Sequence, residues 1–268
     1  MPNKILYASD LHGNKDFYNK LIKKAREEEI KAILIGGDLA PKSPGTLEQA
    51  VNCQKEFFEN FFIPQLSALK KDVFFIMGND DFRANEKIFI NNKNNNLNNL
   101  KYIHKKRFNL FNKNIVGYSF VNPTPFRLKD WEKFEDDKKE MPQQLHDYEI
   151  RTVKKEEGTI KGGLSSFIKL SNPKKTIYVI HAPPFNTKLD IVASGSHVGS
   201  KAVREFIEQE QPYLTLHGHI HESPKMSGSF MDKIGSTICI NAGSSYPENK
   251  LNSLIIDIEN LDLKYMEL

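Results

Sequence analysis

Five short clusters of carboxylate, imidazole and carboxamide side chains, each placed just after an apolar run, constrain this chain more than any other feature. In order they are Asp10-Leu11-His12, Gly37-Asp38, Gly78-Asn79-Asp80, a lone His181, and Gly218-His219-Ile220-His221. Ile5 to Ala8, Ala32 to Ile35, Val73 to Met77 and Ile177 to Ile180 precede the first four and have the length and character of buried strands. A shorter run, Tyr213 to Leu216, precedes the fifth. Open α/β sheets build their sites from groups delivered at the carboxyl ends of neighbouring strands. The pattern predicts an α/β fold that gathers all five clusters into one cleft able to hold two metal ions.

The stretches between the clusters agree with such a fold. Asp16 to about Ile30 reads as a helix with Phe17, Leu21, Ile22 and Ala25 on one face. A second helix carries Val51, Phe57, Phe58, Phe61 and Leu66, with Pro64 expected to bend or break it. Strand–helix–strand repetition implies a parallel, helix-covered sheet with right-handed crossovers. The middle of the chain differs. Asn91 to Asn99 is asparagine-rich and reads as an exposed loop. Strand-like pieces follow at Tyr102-Ile103 and Ile115 to Phe120, and then residues from about Pro123 to Gly163 turn charged, with Trp131 and Phe134 on a polar helical pattern. That segment is expected to be an insertion within a single domain spanning residues 1–268, either a lid over the cleft or a flank. Beyond Thr176 the regular pattern returns, with a helix at about Ser200 to Gln209 and strands at about Thr237 to Asn241, Ser253 to Asp257 and Leu261 to Met266.

Composition sets the remaining bounds. With 39% hydrophobic and 27% charged residues in 268, the chain has enough apolar material for a large packed core. Its net charge of +4, from 38 basic against 34 acidic residues, is spread out and does not argue for nucleic-acid binding. Cys53 and Cys239 are the only cysteines, neither in a CxxC pair, which disfavours a zinc ribbon or disulfide framework and suits a reducing cytosol. The sequence runs from Met1 directly into the first strand, leaving no room for a signal peptide, and no apolar run approaches bilayer length. The expectation is a cytoplasmic protein without a membrane partner; the number of copies that assemble is open.

Two divalent cations held about 3.5–4 Å apart need neutral and anionic ligands with one carboxylate between them. On an extended strand Asp10 and His12 would face the same side and suit one ion. Asp38, after the Gly36-Gly37 pair, is placed to bridge, Asn79 offers a neutral oxygen, and His181, His219 and His221 offer nitrogens. Mixed nitrogen and oxygen donors without thiolate disfavour a structural zinc site. They suit a catalytic pair, with manganese favoured and iron, zinc, nickel or magnesium as alternatives. Taken singly, each cluster has an ordinary reading as a turn or surface pair; the ordered set of five is what carries the argument.

The order D-x-H, G-D, G-N, H, G-H-x-H, from Asp10 to His221, resembles that of the calcineurin-like metallophosphoesterases. The resemblance implies a four-layer α/β/β/α sandwich of two mixed sheets flanked by helices, with the site at the strand ends. It implies that Asp10, His12, Asp38 and His221 ligate one metal, and that Asp38, Asn79, His181 and His219 ligate the other, with Asp38 as the bridge. The implied activity is hydrolysis of phosphate mono- or diesters by a metal-bridging hydroxide attacking phosphorus in line. Asp38, Asn79 and Asp80 are then the candidate catalytic residues.

One cluster departs from that family's pattern. A histidine usually follows the Gly-Asn pair, contacts the phosphate and assists the leaving group; here the run is Gly78-Asn79-Asp80-Asp81. A carboxylate at that position repels a phosphate dianion unless it is protonated, and neighbouring cations oppose that protonation. Weak phosphomonoesterase activity is expected, with activated diesters favoured because their leaving groups need no proton. Three residues are candidates for substrate contact. Arg83 lies just past the site; its ordinary reading is a solvated loop arginine. His217 would share a strand face with His219 and His221, and is equally compatible with core packing. His197, in a small-residue loop ending at Ser200, precedes a helix whose first amides are a possible phosphate cradle, against a reading as a plain capping loop. His104 and His146 give no signal, and Asp81 and Trp131 read as structural.

The leading expectation is therefore a binuclear metal-dependent phosphodiesterase acting on a small or nucleotide-like ester. One alternative is a non-catalytic interaction scaffold built on the same fold. Another is a nuclease, for which Lys101, Lys105, Lys106 and Arg107, flanked by Tyr102 and Phe108, would have to lead toward the metals.

Overall fold

The computed structural model describes residues 3–27, 29–90, 98–138, 140, 148–245 and 248–268. In chain order its elements are β1 (Lys4–Ala8), α1 (Lys15–Ala25), β2 (Ile30–Ile35), α2 (Leu47–Phe57), α3 (Ile63–Ser67), β3 (Asp72–Phe75), α4 (Lys87–Ile90), β4 (Leu100–Tyr102), β5 (Arg107–Leu110) and β6 (Lys113–Tyr118). They continue with α5 (Ile160–Phe167), β7 (Thr176–Ile180), α6 (Lys201–Glu210), β8 (Leu214–His217), α7 (Ser223–Ser227), β9 (Met231–Ile234), β10 (Thr237–Asn241), β11 (Asn252–Asp257) and β12 (Leu263–Glu267).

The strands form two mixed sheets, in the orders β12-β11-β1-β2-β3-β4 and β5-β6-β7-β8-β10-β9. β1 to β4 run parallel in the first, with β4 at one edge and antiparallel β11 and β12 at the other; β6, β7, β8 and β10 run parallel in the second, with antiparallel β5 and β9 at its edges. Side chains alternate between the faces of a strand, and here both faces are dry. Ile5, Tyr7, Leu34, Phe74 and Ile76 point into one apolar cluster together with Ile177, Val179, Leu214, Leu216 and Ile240 of the other sheet. Their neighbours Leu6, Ala8, Ile33, Ile35 and Phe75, with Tyr178 and Ile180, belong to a second cluster that includes Phe17 and Leu21 of α1 and Val203 and Phe206 of α6. The result is sheet against sheet with helices outside, the expected four-layer α/β/β/α sandwich. Burial on both faces explains why the strands read as continuous apolar runs.

Local chemistry sets the helix ends. Asn14 caps α1 by accepting from Asp16 N and Phe17 N. Thr46 and Gln49 form a reciprocal capping box on α2. Pro64 does not break the second helix where it stands: a π-helical turn, Phe58–Phe62, joins α2 to α3, and Pro64 lies in the first turn of α3, where its missing N–H is harmless. α1 is shorter than its periodicity suggests, because Ile30 already belongs to β2.

The middle segment corrects another expectation. Among the described residues, 123–158 hold no helix, only isolated bridges that pair Val121 with Glu132 and Leu128 with Ile150. Trp131 is fully buried, packs on Phe120 and His104, and donates from Nε1 to Asp81 O at 2.9 Å. Asp130 accepts from Arg83 N and Thr152 N, so the segment is fastened to the loop after β3. Asn91 to Leu97 of the asparagine-rich stretch, and His146, lie outside the described residues.

Truncating Trp131 should leave both a large cavity and an unpaired carbonyl in the core. Trp131→Ala is expected to cost about 3–5 kcal/mol of stability, and Trp131→Phe distinctly less; urea denaturation followed by circular dichroism measures both.

Candidate metal centre

Both sheets deliver polar groups at the ends of their parallel strands. Asp10 and His12 follow β1, Asp38 follows β2 and Asn79 follows β3; from the second sheet, His181 follows β7, and His219 and His221 follow β8. The backbone leaves these strands through left-handed residues, with φ of 58° at Asp10, 44° at His12, 49° at Asp38 and 68° at His219. Non-glycine residues rarely adopt that conformation, and such positions concentrate at functional sites. The extended-strand spacing expected for Asp10 and His12, and for His217, His219 and His221, is therefore corrected. β1 ends at Ala8 and β8 at His217, and tight turns bring the side chains together instead.

One donor atom from each of Asp10, His12, Asp38 and His221 lies within 4.8 Å of the other three. His12 Nε2 faces His221 Nε2 at 3.1 Å, and His221 Nε2 stands 3.4 Å from Asp10 Oδ1. Across Asp38, His181 Nε2 lies 3.5 Å from Asp38 Oδ2 and 3.0 Å from Asn79 Oδ1. Asn79 Oδ1 is in turn 2.6 Å from His219 Nδ1. Asp10 Oδ2 is buried without a hydrogen-bond partner among the described residues. Unmet buried acceptors beside converging imidazole nitrogens fit a divalent cation, and the donor set suits borderline to hard ions.

The electrostatics follow from burial and pairing. Burial pushes the Asp38 carboxyl up, but His181 and His12 outweigh it and hold Asp38 well below the usual range. Asp10 is likewise held low against burial, mainly by His221 and then His181. Burial lowers His181, yet Asp38 and Asp10 lift it to about 9. His221 is raised against burial by Asp10. His219, buried beside His181, falls to about 3. His181 Nδ1 donates to Gly36 O at 2.8 Å, which turns Nε2 toward Asp38 and Asn79.

Several residues outside the ligand set support it, among them Asp81, which reads as structural in the sequence. Asp81 is buried and accepts from Leu39 N, Ala40 N and Gly78 N at 2.9–3.0 Å, clamping the Asp38 loop to the Asn79 loop. Burial and the Asp38 charge push its carboxyl up to about 7 against those donors. Asn241 Nδ2 donates to Gly218 O and Ile220 O and shapes the turn between the two histidines. Gly78 is required by contact: a Cβ there would lie 2.3 Å from Asp38 Oδ1 and 2.6 Å from His181 Nε2.

The centre opens on a cleft of about 1390 Å³ whose lining includes Asp38, Asn79, Asp80, His219 and His221. Part of the middle segment, Asn122 to Leu128 with Tyr148 and Ile150, forms one wall, and Phe185 and His197 lie in another. Asp80 Oδ2 is 2.7 Å from Lys42 Nζ and 3.6 Å from His12 Nδ1. Burial, and then the Asp38 charge, raise the Asp80 carboxyl. Nothing in the sequence singles out Lys42, since a lysine in a Pro/Ser loop looks like any solvated lysine.

Two of the three candidate substrate contacts are placed elsewhere. The Arg83 guanidinium lies over the rings of Phe120 and Trp131, pairs with Glu86 and Glu156, and is not among the cleft residues. His217 is wholly buried, its Nδ1 at 3.0 and 2.9 Å from Ile180 O and Ala182 O and its Nε2 at 2.8 Å from Thr215 Oγ1. Burial lowers it to about 4, so it is a neutral brace between β7 and β8. His197 does line the cleft. The phosphate cradle expected at the start of α6 is already filled: Glu135 accepts from Lys201 N, Ala202 N and Ser200 Oγ. The basic run is dispersed as well, with Lys101 on Asp72, Lys105 on Glu156 and Arg107 on Leu170 O, and none of the three lines the cleft.

A two-sheet sandwich that focuses aspartates, histidines and an asparagine at one seam defines a metal-centre protein of the metallophosphoesterase fold. The calcineurin-like phosphoesterase pattern matches residues 3–223, and the chain belongs to that family. It is 32% identical over 162 residues to the uncharacterized protein MJ1162 of Methanocaldococcus jannaschii, a match covering 58% of this chain and 61% of that one, so it spans about three fifths of the length of this curated relative. Among solved structures, TT1561 of Thermus thermophilus aligns with a TM-score of 0.65 at 16% identity over 100% of this chain and 99% of that one. A dimetal phosphatase from Danio rerio aligns with a TM-score of 0.61 at 13% identity over 100% and 98%. At such identities the likeness speaks for the fold alone. Among the described residues no helix is long and apolar enough to cross a membrane.

A ligand held only by the folded state stabilises it by an amount that rises with the logarithm of its concentration over its dissociation constant. Manganese at about 100 times its dissociation constant should add about 2.7 kcal/mol, roughly 5–10 °C in melting temperature. Asp38→Ala should abolish that rise and the bound metal together; thermal denaturation and elemental analysis check both.

Proposed function

We propose that the chain is a binuclear metal-dependent phosphodiesterase. The observation that carries this reading is the convergence of Asp10, His12, Asp38 and His221 within 4.8 Å, beside an open cleft that Asp38 and His221 line. Those four would hold one ion, and Asp38, Asn79, His181 and His219 the other. Bound there, two cations supply Lewis acidity that lowers the pKa of a coordinated water and offsets charge on the phosphoryl oxygens. The chain's own residues keep the pair in place. Asp80 N and His219 N donate to Asp38 Oδ1 and Asp10 Oδ1 and fix which carboxylate oxygens stay available.

Asp80 is the reason to favour diesters. Ionised, it adds negative charge beside Asp38; protonated, it is a neutral donor; in neither state does it match the cationic donor a histidine provides. A phosphomonoester approaches with up to two negative charges and a diester with one, so the penalty falls mainly on the monoester. Lys42 offsets part of it. The cleft wall contributes Phe82, Phe126, Tyr148 and Phe185, surfaces on which a nucleobase or aryl group stacks, consistent with a small or nucleotide-like ester. The middle segment would then act as a substrate wall or lid. Manganese is the metal we favour, and the cytoplasm the location.

Side-by-side assay of bis-p-nitrophenyl phosphate and p-nitrophenyl phosphate, with manganese and with chelator, tests the reading. Manganese-dependent cleavage mainly of the diester is expected. Asp80→His should raise monoester turnover by about 10-fold or more, toward the range a positioned acid supplies. Metal-loaded protein that cleaves neither ester would count against the enzyme reading, and an unchanged Asp80→His variant would remove Asp80 as the source of the preference.

A further inference from the structure

A histidine outside the ligand set lines the same cleft and is held as a proton donor has to be held. His197 lies in the loop between β7 and α6, where it bridges back to Ile191. The loop is built around Asp190, a fully buried carboxylate that accepts from Thr187 N at 2.8 Å, Asn186 N at 3.0 Å and Gly199 N at 2.9 Å. Closure onto that carboxylate is tight: a Cβ on Gly199 would lie 2.8 Å from Asp190 Cβ. Asp190 Oδ1 also accepts from the Thr187 hydroxyl at 3.3 Å and from His197 Nδ1 at 2.7 Å.

This geometry fixes the two ring nitrogens. An ionised carboxylate only accepts, so Nδ1 carries the hydrogen toward Asp190 and Nε2 forms the outward end of the ring. The His197 side chain is 31% exposed, and its other close neighbour is the Phe185 ring, 6.2 Å away between centroids. No hydrogen-bond partner of Nε2 is found among the described residues. The loop is also tied to the turn that carries the metal-ligand candidates: Ile191 N donates to Ser223 Oγ, and Ala193 N to Glu222 Oε1, next to His221. A buried acid and an imidazole that lines the cleft, pinned by one nitrogen with the other left without a partner among the described residues, make the base–orienter arrangement from which general acids and bases are built.

We propose that His197, oriented by Asp190, protonates the leaving oxygen of the phosphate ester. The assignment rests on the phosphoesterase reading above and supplies the proton that Asp80 does not provide as an imidazolium. The attacking water oxygen forms its bond to phosphorus and gives up one proton to solvent, and the bond from phosphorus to the leaving oxygen breaks with its electron pair on that oxygen. The Nε2 proton moves to that oxygen, and the imidazole regains a proton from solvent. Asp190 is a positioning residue that holds the imidazolium and its direction.

The test compares methyl p-nitrophenyl phosphate, whose leaving group needs no proton, with methyl phenyl phosphate, whose leaving group does. His197→Asn keeps a donor toward Asp190 and removes the outward nitrogen; His197→Ala removes both. Both variants are expected to lose about 100-fold in kcat on the phenyl ester and only a few-fold on the nitrophenyl ester. KM, metal content and melting temperature should stay near wild type, and added imidazole should partly rescue His197→Ala on the phenyl ester. Binding of a slowly cleaved phosphorothioate diester should shift the Nε2 resonance of His197 in the nitrogen-15 spectrum of the wild type. Equal losses on the two esters, or none, would overturn the assignment while leaving the phosphoesterase reading intact. A wild type that cleaves neither ester would overturn both.

Discussion

Two carboxylates buried at the seam between the sheets are the constraint on which the rest depends. Asp10 and Asp38 both come from the first sheet, both are essentially inaccessible, and both lie deep enough that leaving them uncompensated would cost several kcal/mol each. Most of their compensation comes from the other sheet. His181 and His221 approach them from the ends of β7 and β8, and His219 N donates to Asp10 Oδ1. A sliding of one sheet over the other would separate acid from base before it disrupted much apolar contact. The hydrophobic layer between the sheets sets how closely they pack; this pairing sets their register at the cleft end, and the Tyr7 hydroxyl on His217 O reinforces it.

That division accounts for what was legible in the sequence. Apolar runs buried on both faces announce parallel strands whatever their partners, and a donor that follows such a run is at a strand end by construction. The strand-end placement of the candidate ligands could therefore be read from the apolar runs, whereas the four-layer architecture was implied only by the resemblance to the calcineurin-like metallophosphoesterases. Local geometry could not. The left-handed turns at Asp10, His12, Asp38 and His219 arise because the backbone must double back within a residue or two of the strand, and nothing in a D-x-H pattern separates that path from an extended one. Spacing arguments based on strand alternation fail beyond the last ladder hydrogen bond.

The misplaced candidates fail for a related reason. A sequence reports what a side chain can do; the fold decides what it is paired with. Arg83, three residues after Asp80, has the charge for phosphate contact, yet the middle segment brings Glu156 and the Trp131 ring to it, and the Phe120 ring packs there too. The first amides of α6 are suited to an anion, and Glu135, distant in sequence, supplies one from within the chain. His217 has the right alternation for the site face but sits one residue before the turn, where two backbone carbonyls claim its Nδ1. Each of these partners lies tens of residues away, beyond the reach of local periodicity.

Asp81 and Asp190 show the same carboxylate chemistry put to a different use. Each is fully buried, each accepts from at least three backbone N–H groups, and each holds a loop that carries functional groups. Asp81 spends all its accepting capacity on backbone and acts as a clamp between the Asp38 and Asn79 loops. Asp190 Oδ1, which already holds Thr187 N and the Thr187 hydroxyl, takes His197 Nδ1 as well. A loop organised only for its own stability has no need of that extra partner, because Asn186, Thr187 and Gly199 already satisfy the carboxylate. The imidazole gains more from the contact than the acid does, since its tautomer and direction become fixed while its far nitrogen has no partner among the described residues. Rigid strand ends thus hold the groups whose charges must be balanced permanently, and a carboxylate-centred loop holds the group whose proton has to move.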